Sequence, residues 1–171
     1  MINKKLLDAI NEQINAEYYS AYLYLSMSAW LEAENLPGFA NWMQMQNREE
    51  TMHATKLYDY ILERGGRVQL KAIDAPPTEW DSPLAVFEET LKHEQKVTAL
   101  INDLMNLAIA EKDHPATIFL QWFVTEQVEE ESSVETVLEQ LKMIQQTPGM
   151  VFMLDRELGQ RSFTPPADTA E

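Results

Sequence analysis

A 33-residue offset occurs twice in this chain. Glu17 stands 33 residues before Glu50, and Glu94 stands 33 residues before Gln127; three residues further on come His53 and Glu130. The midpoint of Glu17 and His53 is residue 35, inside Glu34-Asn-Leu-Pro-Gly38. The midpoint of Glu94 and Glu130 is residue 112, inside Glu111-Lys-Asp-His-Pro115. Residues equidistant from a tight turn between antiparallel helices lie opposite one another. Glu17 is therefore expected to face Glu50 and His53, and Glu94 to face Gln127 and Glu130.

Helical periodicity supports two such hairpins, and no segment alternates like a strand. Gly is scarce and Pro marks the boundaries. The pattern predicts helices over about 4–33, 38–64, 83–111 and 114–145, then a short fifth helix over about 149–159 and a polar, flexible tail over about 162–171. The expectation is one all-α domain over 1–171, a four-helix bundle. The link from Gly65 to Asp81 is 17 residues, and extended it reaches roughly 55 Å. A helix of about 28 residues is roughly 42 Å long. One long crossover can thus run the whole bundle and leave the second and third helices parallel.

A heptad seam can be followed through each helix. It runs Ile10, Ile14, Glu17, Ala21, Tyr24 in the first and Met43, Gln46, Glu50, His53, Leu57 in the second. It runs Leu91, Glu94, Thr98, Ile101 in the third and Phe123, Gln127, Glu130, Val134 in the fourth. Each seam is apolar toward its ends and polar in the middle.

Four carboxylates on buried seams cannot all stay ionised without compensation. No Lys or Arg lies on a seam at this level. That leaves protonation, or two divalent ions with His53 supplying one imidazole. Oxygen-rich ligands with one nitrogen suit iron or manganese. Glu50 lies between the two halves and is the natural bridge. One metal would take Glu17, Glu50 and His53, and the other Glu50, Glu94 and Glu130, so that the second lacks nitrogen and holds its ion more loosely. Cysteine is absent, which excludes disulfides, Cys-ligated zinc and iron–sulfur clusters.

Glu49, Glu126 and Glu129 flank this set and read either as a solvated face or as an accessory cation site with Glu130. Tyr24 follows Glu17 along the seam, as a packed hydroxyl or an electron donor. His93 and His114 receive no role. The net charge of −15 disfavours nucleic acid as a partner. No apolar run is long enough for a membrane, and the start lacks a signal peptide's features, so a soluble, cytoplasmic protein is expected.

Several segments resemble the ferritin family, most closely its non-haem bacterial and archaeal members. They are Asn11-Glu-Gln-Ile-Asn-Ala-Glu-Tyr-Tyr-Ser-Ala-Tyr-Leu-Tyr24, Gly38-Phe-Ala-Asn-Trp-Met43, Arg48-Glu-Glu-Thr-Met-His53 and Trp122-Phe-Val-Thr-Glu-Gln-Val-Glu-Glu-Glu131. The resemblance implies an iron-storage ferroxidase that oxidises Fe(II) with O2 or peroxide and mineralises Fe(III) inside a homo-oligomeric shell of 24 subunits. It implies Glu17, Glu50 and His53 at the first iron, and Glu50, Glu94 and Glu130 at the second. Glu49, Glu126, Glu129 and Glu130 would hold a third, with Gln127 beside the ligands and Tyr24 redox-active. Haem is not expected: bacterioferritins carry it on a Met directly after the bridging Glu, and in this sequence that residue is Thr51. Two other readings stay open, a di-iron or di-manganese oxidase that stores nothing and an acidic bundle whose central carboxylates are protonated.

Overall fold

The structure is a computed structural model that describes residues 2–144 and 147–164. Its elements are α1 (Lys4–Ala33), α2 (Pro37–Glu63), α3 (Pro83–Ala110), α4 (His114–Ile144) and α5 (Pro148–Leu158), with no strand among the described residues. The predicted helices agree with these to within a residue or so at each end. The expected tail beyond Thr164 lies outside the described residues.

The helix ends follow from local chemistry. Asn3 accepts from the Lys5 amide at 2.8 Å and Ser82 from the Ala85 amide at 3.1 Å, capping α1 and α3. Asp113 accepts from the Ala116 amide at 3.1 Å and does the same for α4. Pro37 and Pro83 open α2 and α3, where their missing N–H costs nothing. Three C-termini close alike: Leu36 N–H donates to Leu31 O, Gly66 to Ile61 O and Asp113 to Ala108 O. Each such closure needs a left-handed residue, supplied by Asn35 (φ 60°), Gly65 (φ 69°) and Lys112 (φ 56°).

The link between α2 and α3 runs along α1. The Gln69 amide donates to Asn11 Oδ1 at 2.7 Å, Lys71 pairs with Glu12, Ser26 Oγ donates to Pro77 O at 2.6 Å, and Trp80 packs edge-on against Trp30. The contacts climb α1 in order, so the link rises from one end of the bundle to the other. Thr90 then meets Met27 and His93 meets Ser20, which sets α3 antiparallel to α1. Because α2 is also antiparallel to α1, α2 and α3 are parallel, as the one-crossover topology requires.

The apolar core is in two parts. One end is built on Leu23, Met27, Leu31, Phe39, Met43, Phe87 and Val134, with Leu154 and Leu158 added from α5. The other is built on Leu6, Ile10, Ile14, Leu57, Ile61, Ile101, Leu104, Leu120 and Phe123. Between them lies a buried polar layer.

Candidate metal centre

Every helix of the bundle contributes to that layer. Glu17, Gln46, Glu50, His53, Glu94, Gln127 and Glu130 are all buried, and Glu50 and Glu94 are wholly inaccessible. Glu17, Glu50 and His53 each bring one ligand atom within 4.8 Å of the others. His53 Nδ1 lies 3.3 Å from Glu50 Oε2. Gln13, one turn before Glu17, donates to Glu17 Oε1 at 2.8 Å. The other Glu17 oxygen, both Glu50 oxygens and both His53 nitrogens have no hydrogen-bond partner. An unsatisfied buried polar atom costs about 1–3 kcal/mol, more when charged. Five in one place, all of metal-ligating type, form a site with unused coordinating capacity.

The second half of the layer is arranged differently. The Tyr24 hydroxyl donates to Glu94 Oε1, and Gln127 Nε2 donates to Glu94 Oε2 at 3.1 Å. Glu130 accepts from Gln46 Nε2 at 2.7 Å. Its compact grouping is with His53 and Glu126, again within 4.8 Å. Glu50, Glu94 and Glu130 share the layer and act on one another electrostatically, but they do not form a triad as tight as Glu17, Glu50 and His53. Of the flanking acids, Glu126 joins a triad, Glu49 is half-buried and paired with Arg161 at 2.6 Å, and Glu129 is exposed.

The electrostatics follow from crowding. Burial, then the charges of Glu94, Glu17 and Glu130, push the Glu50 carboxyl well above the usual range. Burial lifts Glu94 to about 7 even though Tyr24 and Gln127 donate to it. Burial and the Glu94 charge lift Glu130 to about 8, against the opposing pull of His53. Burial also raises Glu49 and Glu126. Burial and the negative charges of Glu94 and Glu50 hold the Tyr24 phenol well above its ordinary value. This layer is under-supplied with positive charge and favours any cation able to enter.

Around the layer stand residues to which the sequence assigned no part. Gln13 and Gln46 precede Glu17 and Glu50 by four residues, one helical turn, and that spacing is the signal that could have found them. Trp122 and Phe123 wall the His53 ring edge-on at 5.4 and 5.9 Å. His93 bonds Ser20 Oγ at 2.8 Å and packs against Tyr24. Burial lowers its pKa to about 4, so it is neutral and structural. Arg161 had no sequence signal at all.

A ferritin-like domain family model matches residues 7–144, which contain α2, α3 and α4, all of α1 but its first three residues, and every residue of the polar layer. The chain belongs to the ferritin family. It is 46% identical over 161 residues to a bacterial non-haem ferritin of Bacteroides fragilis, covering 94% of this chain and all of that one. It is 44% identical over 163 residues to a bacterial non-haem ferritin of Staphylococcus saprophyticus, covering 95% and 98%. Among solved structures, an open pore ferritin of Archaeoglobus fulgidus superposes with a TM-score of 0.93 at 50% identity, covering 94% of this ferritin and 98% of that chain. A closed form engineered from that protein gives 0.94 at 51% identity, covering 96% and 100%.

Proposed function

We propose that this ferritin oxidises Fe(II) at a di-iron site inside each subunit and stores the product as a ferric oxyhydroxide mineral in a hollow, cytoplasmic shell of 24 copies. The observation that carries the reading is the set of five unpartnered ligand atoms on Glu17, Glu50 and His53 at the centre of the bundle. Protonated carboxyls held for stability alone would be paired with acceptors. These acids instead face one another and an imidazole.

Glu17, Glu50 and His53 hold the first Fe(II), with Gln13 fixing one Glu17 oxygen so that the other points inward. Glu50 has both oxygens free and bridges to the second Fe(II), which Glu94 and Glu130 complete. That second position has only oxygen ligands, and two of its acids already accept hydrogen bonds from Tyr24, Gln127 and Gln46. It therefore binds more weakly than the first, a property suited to transit. Glu49, Glu126, Glu129 and Glu130 receive a third ion on its way between the pair and the mineral. Two Fe(II) give two electrons to O2, which with two protons leaves as hydrogen peroxide. The acids supply protons when iron displaces them. Tyr24, bonded to Glu94, would add an electron only together with a third Fe(II), four electrons and four protons then taking O2 to two waters.

The test is stopped-flow oxidation of the metal-free shell, with an iron count on the isolated particle. Two Fe(II) per subunit should be oxidised in a fast phase, and excess Fe(III) should stay soluble and co-sediment with protein. Glu50→Ala should abolish the fast phase and leave the helical signal intact. A fast phase that survives Glu50→Ala would remove the di-iron reading. Precipitation of iron beyond the first equivalents would remove storage.

A further inference from the structure

The segment after α5 reaches back into the acid layer. α5 is fastened to α2 by the buried Asp155, whose Oδ1 accepts from the Gly38 and Phe39 amides at 2.8 and 3.0 Å. Asn41 Nδ2 donates to the carbonyls of Leu158 and Arg161 at 3.3 and 3.0 Å. These bonds deliver the Arg161 guanidinium to one place. It lies over the Trp42 ring, 4.2 Å from the centroid, and Nη1 donates to Trp42 O at 3.4 Å. Nη2 donates to Glu49 Oε2 at 2.6 Å and to Gln46 Oε1 at 2.5 Å. Gln46 in turn donates from Nε2 to Glu130 Oε2 at 2.7 Å.

This chain of bonds has a direction. A guanidinium has only donors, so Gln46 must turn its oxygen to Arg161 and its amide N–H groups to Glu130. Arg161 thereby fixes which face of the Gln46 amide the metal centre sees. It also provides the only positive side chain paired with a layer or flanking acid among the described residues. It sits on Glu49 Oε2, and Glu49 feels the charge of Glu126, so a cation shared by these two acids would meet the guanidinium at that oxygen.

The geometry points to Arg161 as a positioning residue and internal counter-ion: it occupies Glu49 and orients Glu130 through Gln46, and an accessory cation binds there only by displacing it. The segment after α5 is then a latch that the third ion opens. This rests on the proposed accessory site, and it assigns to Arg161 a part that the acids alone do not have. Arg161 and the third ion compete for one carboxylate, so occupancy of the site and docking of residues 159–163 are mutually exclusive.

The experiment uses the full-length, metal-free assembly titrated anaerobically with Zn(II), which cannot be oxidised. Heat release and hydrogen exchange are followed together on the native protein, Arg161→Gln and Arg161→Lys. The native protein should bind two ions per subunit before a weaker third, and exchange at residues 160–163 should rise only with the third. Arg161→Gln should tighten the third event by roughly tenfold, the worth of one charged hydrogen bond at a half-buried site. Its exchange at 160–163 should be fast before any metal is added. Arg161→Lys should restore slow exchange and weak third binding. An unchanged third affinity in Arg161→Gln, or exchange at 160–163 that ignores the third ion, would overturn the proposal. Failure of the first two ions to bind would instead strike at the di-iron reading. Equal particle mass and helical signal in all three proteins exclude misfolding as the cause.

Discussion

At the scale of the residue, the centre is a set of buried acids for which protons and, on the proposed function, metal ions compete. His53 brings the one nitrogen ligand of the Glu17–Glu50–His53 triad and has both ring nitrogens unpartnered. His53→Ala should slow initial Fe(II) oxidation by roughly tenfold or more, because even weaker supporting contacts are worth 10–100-fold in affinity. Stopped-flow absorbance checks this. The acids also set a pH dependence. Glu94 and Glu130 titrate near 7 and 8 in the folded chain, above the ordinary carboxylate value near 4.5, so the native state binds more protons than the unfolded state between those limits. Stability of the metal-free protein should therefore fall as pH rises from about 4.5 through about 8. Saturating Zn(II) should flatten the slope, since the ion replaces the protons. Urea unfolding across that range measures both, and a metal-free stability that rose with pH would contradict burial and mutual repulsion as the source of the raised values. The acids themselves were legible in the sequence because each sits on a seam, where a charge demands an explanation. Their partners Gln13 and Gln46 were less so: Gln13 lies off the seam, and Gln46, though on it, is neutral and raises no such demand.

At the scale of the element, helix boundaries were readable because Pro, Asn, Ser and Asp act locally, within a turn of the helix they start or stop. The docking of α5 was not. It depends on Asp155 capping α2 from 117 residues away, in place of Leu36, which cannot cap it. The closeness requires glycine: a Cβ on Gly38 would lie 1.5 Å from the Asp155 carbonyl oxygen. Gly38→Ala should push α5 off α2, costing about 1–3 kcal/mol as an overpacked contact. Hydrogen exchange across Val151–Leu158 should rise sharply, with α1–α4 unaffected. Arg161 was invisible for the same reason. A lone Arg beside a polar tail carries no period and no motif, and its partners are 112 and 115 residues distant.

At the scale of the whole molecule, the crossover topology followed from counting residues, whereas the exposed apolar face of α5 did not. α5 turns Phe152 and Met153 outward, each nearly two-thirds exposed. Apolar side chains of that size clustered on one short helix mark a contact surface, and the proposed shell gives them one. Phe152→Glu should shift the particle toward smaller species in light scattering while each subunit keeps its fold. Retention of the full mass would place the contact elsewhere. The divided core has its own bearing on how such a chain works over time. Because two separate apolar ends hold the helices, the waist between them need not contribute to cohesion. On the proposed function, ions could then enter and leave the waist while the apolar ends keep the subunit together. The waist can also be rewritten by mutation, trading one set of ligands for another, while the ends keep the architecture unchanged.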